Sequence, residues 1–241
     1  VSTIEVDDRG DRLVVVLNRP DQRNAINAAM IADLHQVCDL VEHDPKPMVL
    51  VGKGQHFAGG ADISELRERR RPEALAGINR NLFDRVARLS QPTVAAVHGY
   101  ALGGGAELTY ACDIRIAGPS AVFGNPEPGL GILAAAGASY RLPELVGKSV
   151  AKQMLLGGSN LDAQAALRTG LVLEVVDDPL AAAHELIDRV VRQSALALRL
   201  TKTIVDAPGD HRWADDIAQA VLFETDDKQE RMTTFLERKK R

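Results

Sequence analysis

Hydrophobic and polar positions change period repeatedly along the first half of the chain. Leu13 to Leu17 is an unbroken apolar run with three β-branched residues, stopped by Asn18, Arg19, Pro20 and Asp21, and it predicts a buried strand. Ile26, Met30, Leu34, Val37, Cys38 and Val41 then recur three or four apart. That spacing puts an apolar stripe on one face of a helix from about Asn27 to Glu42, ended by Pro45 and Pro47. Met48 to Val51 predicts a second strand, and Gly52 to Gly54 the loop after it. The segment from Phe57 to Asp62 reads as a loop leading into a charged helix, Ile63 to about Arg71, and a further helix runs up to Leu89. Thr93 to Val97 predicts the third strand. A helix starts near Gly104 and covers Glu107 to about Cys112, and Ile114 to Ile116 and Val122 to Phe123 read as short strands.

From about Ala136 the pattern is mostly helical, punctuated by Gly157, Gly158 and Gly170, with one strand expected from Leu171 to Val176. Beyond Leu180 three helical stretches are expected, broken near Asp206 to Gly209 and around Asp226 and Asp227. Strands alternating with helices argue for an α/β architecture. The expected organisation is an α/β core over residues 1–180, holding the site, and a helical C-terminal region over 181–241.

Composition narrows the class. A chain of 241 residues that is 45% hydrophobic can bury a real core as one domain with a small appendage. The net charge of −4, with both signs spread along the chain, gives no nucleic-acid footprint. The basic tail from Glu237 to Arg241 reads as a solvated terminus. Cys38 and Cys112 lie far apart in apolar helical patterns and read as reduced packing residues of a cytoplasmic protein. No run approaches the roughly 18 apolar residues of a membrane span, so no membrane partner is expected.

Candidate chemistry gathers at two segments. Gly103 to Gly105 sit at a strand-to-helix junction, where glycines permit positive φ and close ligand approach. Free N–H groups at the start of that helix face an anion or a polarised oxygen. Neither a GxGxxG pattern nor a Walker lysine follows, which argues against a dinucleotide or ATP site. Glu107 lies in the first turns of the helix. Its dipole interaction is worth about 0.3–1 kcal/mol, and its apolar neighbours Ala106 and Leu108 allow desolvation and a raised pKa. Glu127 sits between Pro126 and Pro128, a stiff mount for a reactive carboxyl or simply a turn with an exposed acid. Asp62 reads as a helix N-cap, with the Ala61 N–H presented at the turn before it. His98 reads as structural; no histidine shows metal-ligand spacing, and no serine sits in a GxSxG elbow.

In order and spacing, several stretches resemble the crotonase family, the enoyl-CoA hydratase/isomerase superfamily. They are Leu17 to Asn27, Phe57 to Ile63, Gly99 to Leu108, Cys112 to Ala117, Phe123 to Glu127, Leu145 to Lys148, Ala163 to Val176 and Phe235 to Lys240. The resemblance implies a spiral of ββα repeats with a helical C-terminal region, assembled as a homotrimer or a hexamer of two trimers. It implies that the N–H groups of Ala61 and Gly104 form an oxyanion hole for an acyl-CoA thioester. Glu107 and Glu127 fall on the positions of the hydratase glutamate pair, Glu107 activating water and Glu127 orienting it and supplying the Cα proton. Arg23, Ala25, Ala58, Ala61, Asp62, Ile63, Ser64 and Gly104 resemble the coenzyme A contacts. Coenzyme A would enter as part of the substrate, with no separate cofactor and no metal. Retention of both acids favours hydration over Δ3-Δ2 isomerisation, other chemistry of the family, or non-catalytic acyl-CoA binding. One departure stands out: where many hydratases carry a Pro-Gly-Ala-Gly-Gly-like turn, this chain has Ala134 to Ala138, with alanine at 134, 135 and 138. The added Cβ atoms are expected to narrow the acyl pocket or shift the water.

Overall fold

The computed structural model describes residues 2–238; residues 239–241 of the basic tail lie outside them. Two β-sheets organise the first unit. One has six strands in the order β1 (Ile4–Asp8), β2 (Leu13–Leu17), β3 (Met48–Gly52), β4 (Thr93–Val97), β6 (Ile114–Ala117) and β9 (Glu174–Val175). Only the β1–β2 pair is antiparallel. The other sheet has three strands, β5 (Tyr100–Leu102), β7 (Val122–Gly124) and β8 (Leu161–Asp162).

The chain passes from one sheet to the other and then into a helix. β4 and β5 lead to α5 (Gly104–Ala111), and β6 and β7 lead to α6 (Ala138–Gly157). These are the expected ββα units, and they bring the starts of successive helices and loops to one side. Parallel bridges Ile26↔Ala61 and Ala58↔Ala101 tie the loop before α2 (Ile63–Glu68) to β5.

The large sheet is buried on both faces, which explains its apolar runs. Leu13, Val15, Leu17 and Leu50 face a core shared with α1 (Ala28–His43), α4 (Ile78–Ala87) and α5. Val14, Val49, Val94 and Ile116 face a second cluster with Ala183 and Ile187 of α8 (Pro179–Val190). Cys38 and Cys112 are both buried in the first of these cores. In α1 the apolar stripe is buried as its spacing requires, and Asn27 caps it by accepting from Met30 N at 3.0 Å.

Four expectations need correction. β1, β5 and β8 had no sequence signal: β1 buries only Ile4, and β5 is three residues inside a glycine segment. The charged helix after Asp62 stops at Glu68 and restarts as α3 (Arg71–Ala76), Arg69 and Arg70 being extended. The strand expected at 171–176 shortens to β9, because Leu171 and Val172 are packed in the core instead of paired. Among the described residues beyond α7 (Ala163–Arg168) there are four helices, not three: α8, α9 (Ala195–Val205), α10 (Arg212–Phe223) and α11 (Asp226–Arg238). Asp226 and Asp227 open the last helix, as acids in a first turn should.

The chain divides into compact units Val1–Ile187 and Asp188–Arg241. In the second unit α9, α10 and α11 bury no residue, and Trp213, Ile217, Phe223, Met232, Phe235 and Leu236 are exposed. Among the described residues no helix is long and apolar enough to cross a membrane.

Candidate active site

The site is built where β5 turns into α5. Gly103 adopts φ +50°, a conformation that favours glycine, and a Cβ there would stand 3.0 Å from Glu127 Oε1. Gly105 packs so tightly that a Cβ would come 2.3 Å from the Ala58 carbonyl oxygen. The two glycines therefore let three segments approach: the 58–61 loop, the α5 start and the Glu127 turn.

Ala61 and Gly104 are brought together by this packing. A Cβ on Gly104 would lie 3.4 Å from Ala61 N and 3.9 Å from Asn79 Nδ2. Among the described residues neither the Ala61 nor the Gly104 N–H has a hydrogen-bond partner. The Ile26–Ala61 bridge uses Gly60 O and Asp62 N, leaving Ala61 N out, and Gly104 is the first residue of its helix. Two unused donors side by side suit a single oxygen that gains negative charge.

The two glutamates face the same cavity of about 660 Å³, also lined by Ala61 and Gly104. Glu107 is only 3% exposed, in a helix whose eight residues are all buried. Its Oε1 accepts from Ala136 N at 2.8 Å and Ala138 N at 3.1 Å. The alanine-rich turn thus holds the carboxylate through backbone donors, while Ala135 and Ala136 line the cavity. Burial pushes the Glu107 carboxyl up to about 7; the Ala138 N–H opposes the shift and the Glu127 charge adds to it.

Glu127 is 8% exposed, at the start of a short 3₁₀ turn, Glu127–Leu130, stiffened by Pro126 and Pro128. The exposed-acid reading of this turn fails. Burial raises its pKa, opposed by its own backbone N–H and the nearby Asn125 amide. Among the described residues Glu127 Oε2 and Asn125 Nδ2 are both buried without a hydrogen-bond partner. Tyr110 OH donates to Asn125 Oδ1 at 3.1 Å, which turns the amide nitrogen away from the phenol. Tyr110, Asn125 and Asn79 were missed in the sequence: Tyr110 and Asn125 lie within three residues of a glutamate, but the bond that joins them, and the approach of Asn79 to Gly104, come from the fold.

Of the residues expected to touch coenzyme A, Ala61 and Gly104 line this cavity. Gly59 N donates to Arg23 O at 2.8 Å, and Ala25 O accepts from Arg19, which also pairs with Asp62 at 3.2 Å. Asp62 caps α2 by accepting from Ser64 N and Ser64 Oγ, as the sequence suggested. Arg23, Ile63 and Ser64 are exposed, while Ala25 and Asp62 are half-buried. Ala58 differs: it is fully buried, its N–H donates to Tyr100 O and its carbonyl accepts from Leu102 N. It supports the loop instead of presenting a side chain to a ligand. His98 is structural, its Nε2 bonded to Gly54 O at 2.9 Å.

Comparison with known proteins identifies the family. A family model described as Enoyl-CoA hydratase/isomerase matches residues 11–241. The short-chain-enoyl-CoA hydratase of Clostridium acetobutylicum is 35% identical over 100% of this chain and 97% of its own length. The 2,3-dehydroadipyl-CoA hydratase of Escherichia coli is 36% identical over 94% of this chain and 92% of its own. The crystal structure of an enoyl-CoA hydratase from Bacillus anthracis superposes with a TM-score of 0.93 at 30% identity, covering 98% of this chain and 96% of that one. The chain belongs to the enoyl-CoA hydratase/isomerase family.

Proposed function

We propose that this protein is an enoyl-CoA hydratase, adding water across the 2,3 double bond of a 2-enoyl-CoA thioester to give a 3-hydroxyacyl-CoA. The observation that carries the reading is one cavity holding two buried carboxyls and two adjacent unused backbone donors. The names of the relatives support the same reaction.

The thioester oxygen lies between the N–H groups of Ala61 and Gly104. Attack of water at Cβ gives this oxygen enolate character, and fixed donors stabilise that charge; losing one such donor typically costs about 2.7–4 kcal/mol. Glu107, held on Oε1 by two amides, leaves Oε2 free to take a proton from water. Glu127 orients the same water and gives a proton to Cα. A positioned acid or base contributes about 10²–10⁴-fold. Burial raises the pKa of both carboxyls, and the Glu127 charge raises that of Glu107 further. Coenzyme A arrives as part of the substrate, and the exposed surface of Arg23, Ile63 and Ser64 is where it lies. No separate cofactor enters this scheme.

Isomerisation needs the same oxyanion donors but not both acids, and the second buried glutamate favours hydration. The exposed apolar residues of α9 to α11 support assembly of copies into a trimer or a pair of trimers, for which sedimentation velocity is the direct test. The reaction itself is tested by the loss of conjugated enoyl-thioester absorbance with crotonyl-CoA and longer homologues. Steady loss at catalytic enzyme concentration is expected; none at any chain length overturns the proposal.

A further inference from the structure

The cavity that holds the glutamates has a second character. Its wall also carries four arginines, Arg69, Arg70, Arg71 and Arg80, from the α2–α3 break and the start of α4. This is a local feature, since the chain as a whole has a net charge of −4. Among the described residues none of the four forms an ion pair within 4.0 Å. Arg69 donates to Asn79 Oδ1 at 2.8 Å, a neutral acceptor. Glu73, the nearest acid on the same wall, turns its carboxylate back onto the Arg70 backbone N–H at 2.8 Å. Four guanidiniums thus share this concave surface with Glu73, whose carboxylate lies in the field of Arg69 and Arg70, and the excess of cations favours an anion there.

The rest of the lining is apolar. Leu66, Ile78, Ile132, Leu133 and Ala135 offer contact to methylene groups, not to charge. The cavity thus asks for a ligand of mixed character: a thioester at the Ala61 and Gly104 donors, apolar groups against these side chains, and an anion for the arginines. A planar carboxylate suits guanidinium groups through paired N–H donors.

Building on the hydratase reading, we propose that the preferred substrates are 2-enoyl-CoA thioesters whose acyl chain ends in a carboxylate, bound by the arginines at positions 69–71 and 80. The phosphates of coenzyme A are the other source of negative charge for these arginines. They are common to every acyl-CoA, whereas the carboxylate belongs to one class of acyl chain, so substrates separate the two.

Hydration rates are compared for 2-hexenoyl-CoA and for the six-carbon 2-enoyl-CoA that carries a terminal carboxylate, with crotonyl-CoA as the short reference. The expected kcat/KM for the carboxylate-ended ester is about tenfold or more above that for hexenoyl-CoA, the value of one charged hydrogen bond. In the triple variant Arg70→Gln, Arg71→Gln, Arg80→Gln this ratio falls toward one. The single variant Arg80→Gln lowers the ratio by a smaller factor and serves if the triple variant does not fold. A wild-type ratio of one or less overturns the proposal. So does an equal fractional loss for all three esters in the variants, which assigns the arginines to the coenzyme A phosphates. Hydration of hexenoyl-CoA without preference defeats this inference alone and leaves the hydratase reading standing. Hydration of none of the three defeats both.

Discussion

The turn from β5 into α5 and the wall from α2 to α4 enclose one cavity and are built in opposite ways. Every residue of α5 is buried, and its C-terminal end is closed by the Arg115 guanidinium, which donates to Leu171 O, Thr109 O and Cys112 O at 2.7–3.1 Å. The opposite wall buries nothing in α2 or α3, breaks at Arg69 and Arg70, and carries unpaired charge. Acid–base chemistry needs carboxyls fixed to a fraction of an ångström, which a dense core supplies. Recognition of an acyl chain needs only a surface of the right polarity. The division assigns the reaction to the core turn and the choice of substrate to the exposed wall.

The largest effect that sharpens this contrast is at the acid pair. Glu127→Gln is expected to lower kcat by about 10²–10⁴-fold while leaving binding of a saturated acyl-CoA nearly unchanged by calorimetry. Surviving turnover removes Glu127 from the chemistry. Next, Arg115→Met strips the buried carbonyls at the end of α5 of their charged donor. A loss of ~3 kcal/mol is expected from denaturant unfolding, and a loss under about 0.5 kcal/mol contradicts the tightly built helix.

A smaller effect tests the raised pKa of Glu107, held at about 7 against an ordinary 4.5. Below the ordinary value the carboxyl is protonated in both folded and unfolded chains and contributes nothing. As pH rises toward 7 the unfolded chain ionises first, so this group's contribution turns against folding, and above 7 the penalty is complete. Glu107→Gln removes it. The variant is expected to gain melting temperature relative to wild type at about pH 8 and not at about pH 4; parallel profiles contradict the assignment. The smallest effect belongs to the outer face of the wall. Among the described residues Arg67 pairs with its neighbour Glu68, both well exposed, and Arg67→Gln is expected to change stability by under about 0.5 kcal/mol.

These two regions also differ in how much the sequence revealed. The strands β2, β3 and β4 and the helix α1 announce themselves because one buried face imposes a period on the apolar residues. The glycine segment and Pro-flanked Glu127 were legible for the same reason: close approach and stiffness restrict the residue types allowed. The exposed wall imposes no such restriction, so the break between α2 and α3 went unseen and its arginines read only as part of one charged helix. Partners fixed only by long-range packing were equally hidden. Ala136 and Ala138 hold Glu107 across about 30 residues of chain, and Tyr110 reaches Asn125 across 15. The alanine-rich turn, expected mainly as an obstruction, is the backbone support of the first glutamate.

The central claim is that the core turn adds water. Single-turnover reaction of a 2-enoyl-CoA in water labelled with heavy oxygen, followed by mass spectrometry of the thioester, tests it directly. The account predicts one heavy oxygen at Cβ of the product and none in the thioester carbonyl. A shifted double bond or a recovered enoyl ester without label contradicts it.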